Sequence, residues 1–311
     1  MAEQLTNFKY YLSGLTIETN FELPELIESF ENADGTIYIT DNISDNIPLE
    51  AIKEKKYSDE SLDYIFNKHI GHIAIWNNKK IELTPNFQKD DAYLRMVILG
   101  TISMLFVNSF GYISMHAACV IVNNQAILFC GDSGIGKSSI ATYFYHKGYT
   151  VFSDDVTNIK ISEDNIPIAY PSVPRIKLSK EALKQIGKSH IGLSTIPSFT
   201  TKYSLPINKE NYKQKYKITH IVYPKFTENK LSINQIHGRD KLQLLAYNIY
   251  RKGIGKKLRL FNHRPKSIFT LAINSKMMCF VREKNKSKMN DSFKYLEDYL
   301  VEVTNINSDE I

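Results

Sequence analysis

Short apolar segments separated by polar breaks run through the first ninety or so residues. The segments FKYYLSGLTIETN, GTIYITDNI and SLDYIFN are rich in β-branched and aromatic residues, which favour strands. In HIAIWNNKKIELTP, the pair Asn77 and Asn78 separates two further apolar runs and is typical of a hairpin turn. The pattern predicts a strand-rich region, and its sequence offers no nucleophile, metal cluster or glycine loop.

The most apolar stretch of the chain is MVILGTISMLFV at residues 96–107. This run is shorter than the roughly 20 apolar residues that a membrane-spanning helix needs. We therefore expect a buried helix from about Asp90 to Asn108 that leads into a second region.

The second region begins with two apolar strands around a short polar turn. YISMHAACVIV and QAILFCG flank Asn123 and Asn124, which predicts a two-residue hairpin. The segment GDSGIGKSS follows the second strand directly, and SSIATYFYHKG then continues as a helix that ends at Gly148.

More strands follow that helix. YTVFSDDV predicts a short strand, and VTNIKI with PIAYPS predicts another hairpin that turns at residues 163–165. Nucleotide switches and motors usually repeat strand and helix around a parallel sheet, whereas this glycine segment lies among hairpins. We expect an α+β fold with a mixed or antiparallel sheet, divided into a strand-rich accessory or recognition domain at 1–90 and a nucleotide-binding domain at 91–311.

Length, charge and cysteines narrow the class further. The chain has 311 residues, which suits one large or two modest domains, and a mild formal net charge of +6. The basic stretch at 252–266 is interpreted as a solvated helix face and loop, so we expect no nucleic-acid partner.

The three cysteines are unevenly spaced among apolar residues, as expected for reduced core residues; they are Cys119, Cys130 and Cys279. The N-terminal residues show no basic-then-apolar leader. We therefore expect a cytoplasmic protein without a membrane partner.

The segment after the second strand has the spacing of a phosphate-binding loop, or P-loop: glycine, four residues, glycine, lysine, serine. Its residues are Gly131, Asp132, Ser133, Gly134, Ile135, Gly136, Lys137, Ser138 and Ser139. The glycines permit positive backbone angles, so that successive amides can surround an anion at the start of a helix. Lys137 is expected to reach the outer phosphates of ATP, and the Ser138 hydroxyl to bind Mg²⁺.

Asp154 and Asp155 stand together at the end of the predicted strand YTVFS. Neighbouring side chains on a strand point to opposite faces, so the two carboxylates need different tasks. One can hold the metal, and the other can accept a proton from an attacking hydroxyl, as phosphoryl transfer to an alcohol requires.

His116 lies in the strand that precedes the Asn123–Asn124 turn. A lone histidine in an apolar strand is usually a core residue. Because the two strands of the hairpin pair, however, His116 should lie close to the loop that leaves the second strand.

In this order and spacing, SMHAACVIV, GDSGIGKSS and FSDDV resemble the catalytic domain of bacterial HPr kinase/phosphorylase. That family phosphorylates a serine of a small carrier protein, on a fold related to phosphoenolpyruvate carboxykinase. The resemblance covers about residues 111–180 and implies that the second region is an HPr-kinase-like P-loop domain.

The resemblance also implies roles for individual residues. His116 would be the histidine that assists the catalytic aspartate, and Lys137 the loop lysine. Asp154 would take the proton, whereas Asp155 would bind the metal together with Ser138.

Two features differ from the carrier-protein kinases. A signature of the form EIRGLGI has no counterpart here, and AYPSVPRIKLSKEAL stands in its general place at 169–183. The stretch YPSVPRIKL resembles instead the kinases encoded beside lasso peptides, some of which phosphorylate the C-terminal serine of a precursor peptide. Arg175 is the candidate catalytic residue of that stretch, and Lys202 a weaker candidate for contacting phosphate.

The expected function is that of an ATP- and Mg²⁺-dependent kinase whose acceptor is a serine of a peptide or small protein. Two alternatives stay open: a regulatory nucleotide-binding module without transfer, and a kinase that acts on a carrier protein or a free small molecule. Whether the chain forms a homo-oligomer is also left open.

Overall fold

The structure is a computed structural model that describes residues 7–87, 90–196, 201–207, 212–228, 230–254, 258–285 and 287–306. The chain divides into two compact units. The first unit contains residues 1–113 and 251–264, and the second contains residues 114–250 and 265–311.

The first unit is built on an eight-stranded sheet in the part of the chain that the structure describes. Its strands are β1 (Phe8–Leu12), β2 (Leu15–Thr19), β3 (Ile27–Glu28), β4 (Gly35–Ile39), β5 (Lys56–Ser58), β6 (Leu62–Asn67), β7 (Gly71–Trp76) and β8 (Lys80–Pro85), with helix α1 (Leu49–Glu54) before β5. The strand order is β3-β1-β2-β4-β8-β7-β6-β5. The strand-rich prediction for this region is confirmed.

The β7–β8 hairpin turns where the sequence predicted. Asn77 and Asn78 have positive φ angles of 50° and 58°, a region that asparagine tolerates better than most residues. Trp76 pairs with Lys80 across the turn.

The apolar stretch forms one continuous helical segment in the first unit. It consists of α2 (Asp91–Val97), a π-helical turn (Ile98–Ile102) and α3 (Ser103–Ser109), and it is almost entirely buried from Val97 to Asn108. The helix is longer than the apolar run within it. By length and composition Asp91–Ser109 could cross a membrane, but 67% of its most apolar window is buried inside the protein.

The division between the units differs from the expected boundary at residue 90. The helical segment belongs to the first unit because Phe106 packs against Gly35 of β4. The returning segment 251–264 belongs there too, since the Asp63 carboxylate accepts hydrogen bonds from the backbone N–H groups of Arg259 and Leu260, both at 3.1 Å. A 3₁₀ turn (Arg259–Phe261) lies in that segment.

The second unit contains the remaining described elements. Its strands are β9 (Ile113–Met115, which crosses the division), β10 (Ala117–Val122), β11 (Gln125–Cys130), β12 (Thr150–Ser153), β13 (Thr157–Ile161), β14 (Pro167–Tyr170), β15 (Arg175–Leu178), β16 (Thr195–Ile196), β17 (Lys202–Pro206), β18 (Tyr216–Phe226), β19 (Ser232–Gln235) and β20 (Lys276–Arg282). Its helices are α4 (Lys137–His146), α5 (Lys180–Gln185), α6 (Gly238–Tyr247), α7 (Arg264–Ile273, whose first residue belongs to the first unit) and α8 (Met289–Ile306).

These strands form a mixed nine-stranded sheet and a separate three-stranded sheet, β15-β17-β16, within the described ranges. The large sheet runs β12-β10-β11-β18-β14-β13-β9, and β20 pairs with both β18 and β19. Both predicted hairpins, β10–β11 and β13–β14, are confirmed as antiparallel pairs. The chain therefore has the α+β fold with a mixed sheet that the sequence predicted.

Three neighbouring strands of the large sheet are parallel, namely β11, β18 and β20. Their carboxyl ends consequently meet at one edge, which is where ligands bind in sheets with parallel strands. The loop after β11 leads into α4 at this edge. Phe144 of α4 and Phe293 and Leu296 of α8 are fully or almost fully buried in one core cluster with Phe129 of β11. Because β11 precedes the loop and α4 follows it, the packing of both elements in this core fixes the two ends of the loop.

Candidate functional site

The glycine loop uses positive backbone angles at all three of its glycines. Gly131, Gly134 and Gly136 have φ angles of 138°, 85° and 104°, a region that favours glycine. Asp132, Ser133 and Gly134 are exposed, and helix α4 begins at Lys137. The exposed part of the loop therefore lies next to the positive end of a ten-residue helix.

The Lys137 ammonium group lies against the backbone at the start of this loop. Its Nζ atom is 2.6 Å from the Gly131 carbonyl oxygen, 3.0 Å from that of Asp132 and 3.0 Å from Nε2 of His116. Only 6% of the residue is exposed. Burial lowers the pKa of the Lys137 ammonium group, although nearby carboxylates act in the opposite direction.

His116 lies beside the loop because of the hairpin register. Ala117 pairs with Cys130, so His116 is adjacent to Gly131. A charged lysine can only donate, so Nε2 of His116 accepts from Lys137 and the ring proton is on Nδ1. Nδ1 then faces Asp155, 3.2 Å from its backbone oxygen and 3.4 Å from Oδ1.

Asp155 is held between two cationic or donor groups. Its Oδ2 is 2.7 Å from the Lys177 ammonium group, whereas its Oδ1 is the oxygen nearer to His116. Burial alone would raise the pKa of Asp155, but the His116 hydrogen bond and the charge of Lys177 outweigh it and hold the pKa well below its usual range. The side chain is about one third exposed and stays ionised.

Asp154 has a contrasting environment. It is 4% exposed, and its Oδ2 accepts the backbone N–H of Lys177 at 2.8 Å. Its Oδ1 is buried without a hydrogen-bond partner among the described residues. Burial raises the pKa of Asp154, while the Lys177 amide and the nearby Ser138 hydroxyl act to lower it. The adjacent carboxylates thus differ in exposure and in pKa, as two different tasks require.

The other two candidates lie on the three-stranded sheet. Arg175 begins β15 and pairs with Pro206 of β17, and Lys202 is the first residue of β17. Neither side chain takes part in the contacts given above, so their roles stay predictions. Residues 255–257 of the basic stretch lie outside the described residues.

Two residues of the cluster were missed by the sequence reasoning. Lys177 lies two residues after Arg175 in the same stretch. Side chains two positions apart on a strand point to the same face, so alternation does not show which of the two belongs to the site. Asn248 follows α6, far along the chain, and its Oδ1 accepts the N–H of Gly131 at 2.8 Å. The Asn248 backbone oxygen also accepts the N–H of His116 at 2.7 Å, so one residue aligns the histidine with the loop.

Comparison with known proteins finds relatives of one family for a part of the chain. An alignment of 126 residues is 31% identical to the HPr kinase/phosphorylase of Thermoanaerobacter sp. (strain X514) and spans 37% of this chain and 41% of that protein. The HPr kinase/phosphorylase of Lachnoclostridium phytofermentans is 38% identical over 64 residues, 20% of this chain and 21% of its own. The chain thus spans less than half the length of the curated relatives it matches. The matched part is HPr-kinase-like.

Two other comparisons give no further support for a family. No family model matches the chain. The structure of the HPr(Ser) kinase/phosphatase from Coxiella burnetii aligns with 63% of this chain and 96% of its own, at 10% sequence identity and a TM-score of 0.33. A likeness at this TM-score does not establish a common fold.

The opposite pKa shifts of the two aspartates predict opposite effects on stability. The depressed pKa of Asp155 stabilises the fold above an unfolded value of about 4, and this contribution is lost as the pH falls towards the folded value. The raised pKa of Asp154 instead makes its ionised form destabilising at neutral pH. At pH 7 and without ligand, Asp155→Asn should lower the thermal midpoint by about 2 °C, whereas Asp154→Asn should leave it unchanged or raise it.

Thermal melts of both variants from pH 7 down to about pH 4 test this. The Asp154 difference should shrink as the pH falls towards about 4, because its carboxyl group is protonated in the folded state before it is in the unfolded state, whereas the Asp155 difference should persist over most of this range and shrink only near and below about pH 4. Equal destabilisation by both substitutions at pH 7 would contradict the assigned environments.

Proposed function

We propose that this chain is an ATP-dependent kinase that transfers the terminal phosphoryl group to a serine hydroxyl. One observation carries the proposal: Lys137, which lies against the backbone of the glycine loop, contacts His116, and His116 in turn contacts Asp155. Lys137 could thus bind phosphate, and the neighbouring His116 imidazole and ionised Asp155 carboxylate could accept a hydrogen bond or a proton from an incoming hydroxyl. The names of the curated relatives, HPr kinase/phosphorylase, support the same reaction class.

The loop and Lys137 would bind the outer phosphates of ATP. Lys137 makes hydrogen bonds only to backbone oxygens of its own loop and to His116 in the contacts described above. These are neutral partners, so its charge is available for phosphate oxygens, which give shorter and stronger charge-assisted hydrogen bonds. The loop amides and the α4 N-terminus would offset the remaining negative charge.

The residues present also fit a magnesium ion. Mg²⁺ prefers oxygen ligands and usually takes only one or two from the protein, the rest being water and substrate phosphates. The Ser138 hydroxyl and the unpartnered Oδ1 of Asp154 are such oxygens. No group of three or more His, Cys, Asp or Glu side chains suited to a metal occurs among the described residues, which agrees with a site shared with the nucleotide. A bound Mg²⁺ would neutralise charge on the phosphates.

We therefore propose the reverse of the roles that the sequence led us to expect for the two aspartates. Asp154 is nearly inaccessible and lies near Ser138, which suits the metal side of the site. Asp155 and His116 are each about one third exposed, so an acceptor hydroxyl can reach them. Asp155 would orient that hydroxyl and receive its proton directly or through His116.

In this reaction the serine oxygen forms a bond to the terminal phosphorus as the bond to the bridging oxygen of ATP breaks. ADP leaves with the electron pair of that bond, and the hydroxyl proton passes to the Asp155–His116 pair. The low pKa of Asp155 makes it a weak base, but a loose transition state requires little proton removal before the phosphoryl group has moved.

We further propose that the acceptor is the C-terminal serine of a ribosomally made peptide of the lasso precursor type. The support is the stretch YPSVPRIKL, which differs from the carrier-protein kinases and supplies Lys177, a direct contact of Asp155. The strand-rich first unit would contribute to recognition of the acceptor.

The roles of the two aspartates can be separated by binding and transfer measurements. Asp155→Asn should keep ATP binding but reduce transfer about 10²- to 10⁴-fold, because the proton acceptor is lost. Asp154→Asn should abolish the dependence of ATP binding on Mg²⁺. Calorimetric titrations with ATP and assays with γ-labelled ATP measure both quantities.

Two lysine variants complete that experiment. Lys137→Ala should lose both ATP binding and transfer, whereas exposed Lys184→Ala should behave like the wild type. If Asp155→Asn instead loses Mg²⁺-dependent binding, the original assignment is right and the reversed one is wrong. Near-normal transfer by Lys137→Ala would refute the ATP site itself.

The acceptor is tested by mass spectrometry. The protein, ATP and Mg²⁺ are incubated with the precursor peptide encoded nearest its gene, and with the same peptide carrying alanine in place of the terminal serine. We expect one or more added phosphates on the first peptide alone. Phosphorylation of a carrier protein or of free serine, with both peptides unchanged, would refute the peptide acceptor.

A further inference from the structure

A second positive side chain lies against the glycine loop. Arg282 is the last residue of β20, whose carboxyl end shares an edge of the sheet with that of β11. The register aligns Phe129 of β11 with Val222 of β18, and Val222 with Met278 of β20. Arg282, four residues beyond Met278, therefore extends past the end of β11 towards the level of the loop.

Arg282 is a buried cation without an anion in the described parts of the chain. The residue is 4% exposed, and its buried Nε has no hydrogen-bond partner there. No ion pair of its guanidinium group occurs among the described residues. Burial lowers the pKa of Arg282, which expresses the cost of keeping this charge away from water. Because buried charges are normally paired, an anion from outside the chain is the natural partner.

Two phenylalanines hold the guanidinium group in place. Its Cζ lies 4.5 Å from the ring centroid of Phe226 and 5.0 Å from that of Phe293. Aromatic faces attract a cation but leave the N–H donors at its edge free to bind an anion. These two contacts thus hold the guanidinium group without using its hydrogen-bonding capacity.

The free edge of the group points at the glycine loop. A Cβ atom added to Gly136 would lie 2.6 Å from Nη2 of Arg282, closer than any normal contact. Gly136 is the residue immediately before Lys137, where the loop amides turn into helix α4. A side chain at position 136 would occupy the space that the guanidinium group needs.

We propose that Arg282 binds a phosphate of the nucleoside triphosphate held by the glycine loop, as a second cationic contact beside Lys137. The inference rests on the proposed ATP site and adds a positioning residue to it. Arginine suits this task because its planar fork can give two parallel hydrogen bonds to phosphate oxygens. The contact would discriminate nucleotides by the number of their phosphates.

The test compares nucleotide binding by the full-length wild type and Arg282→Met. Methionine keeps an unbranched side chain between the two phenylalanines but removes the charge. Calorimetry should show about a ten- to hundredfold weaker affinity for Mg·ATP, with a much smaller effect on AMP. The thermal midpoint without nucleotide should be unchanged or higher, because an unpaired buried charge has been removed. Exposed Arg239→Met is the matched control and should bind as the wild type does.

Affinity for ATP within about twofold of the wild type in Arg282→Met would refute the inference, since the measurement resolves the expected loss. Loss of ATP and AMP binding to the same extent would also refute it, because that result indicates a structural role. If Lys137→Ala loses ATP binding while Arg282→Met retains it, the inference alone fails. If both variants bind normally, the ATP site of the proposed function fails as well.

A second measurement reads the contact in the wild type itself and uses a variant only to assign the signal. The side-chain Nε–H resonance of Arg282 can be assigned by its disappearance in Arg282→Lys. Addition of Mg·ATP should shift this resonance, and adenosine should not. A resonance that is insensitive to ATP at concentrations that saturate the protein would refute the contact.

Discussion

The candidate site depends on how the Lys137 ammonium group is held. A buried lysine needs partners, and here the partners are two carbonyl oxygens of its own loop and the His116 ring. His116 in turn contacts Oδ1 of Asp155, and Lys177 forms an ion pair with Oδ2 of the same carboxylate. The site is therefore a connected network, in which the loop geometry, the tautomer of His116 and the ionisation of Asp155 depend on one another.

The fold brings these residues together from distant parts of the chain. The β10–β11 register aligns His116 with the loop, and the β10–β12 pairing brings the two aspartates to the same edge. The backbone oxygen of Asn248 then accepts the N–H of His116, and its side-chain oxygen accepts the first amide of the loop. Each contact uses a strand end or a helix end, so the large sheet determines the geometry and the loop adds only the anion-binding backbone.

Local patterns allowed the sequence to predict much of this arrangement. The Asn123–Asn124 hairpin is determined by alternation and turn chemistry within a dozen residues, and His116 follows from its register. Lys177, Asn248 and Arg282 could not be found in this way. Their positions result from pairings between strands and helices that are up to about 150 residues apart in sequence, and an isolated lysine, asparagine or arginine carries no local signal of such a contact. The sequence also could not decide between the aspartates, because exposure is a property of the folded chain.

The most direct test of the account is whether the site recognises phosphate itself. Thermal melts of the wild type should be recorded with Mg²⁺ and, in turn, ATP, inorganic triphosphate and adenosine, since a ligand that binds the folded state raises the midpoint. Because the network around Lys137 presents a cation and backbone amides, ATP and triphosphate should both raise the midpoint and adenosine should have little effect. A midpoint raised by adenosine but not by triphosphate, or by none of the three, would contradict the assignment of this cluster as a nucleotide phosphate site.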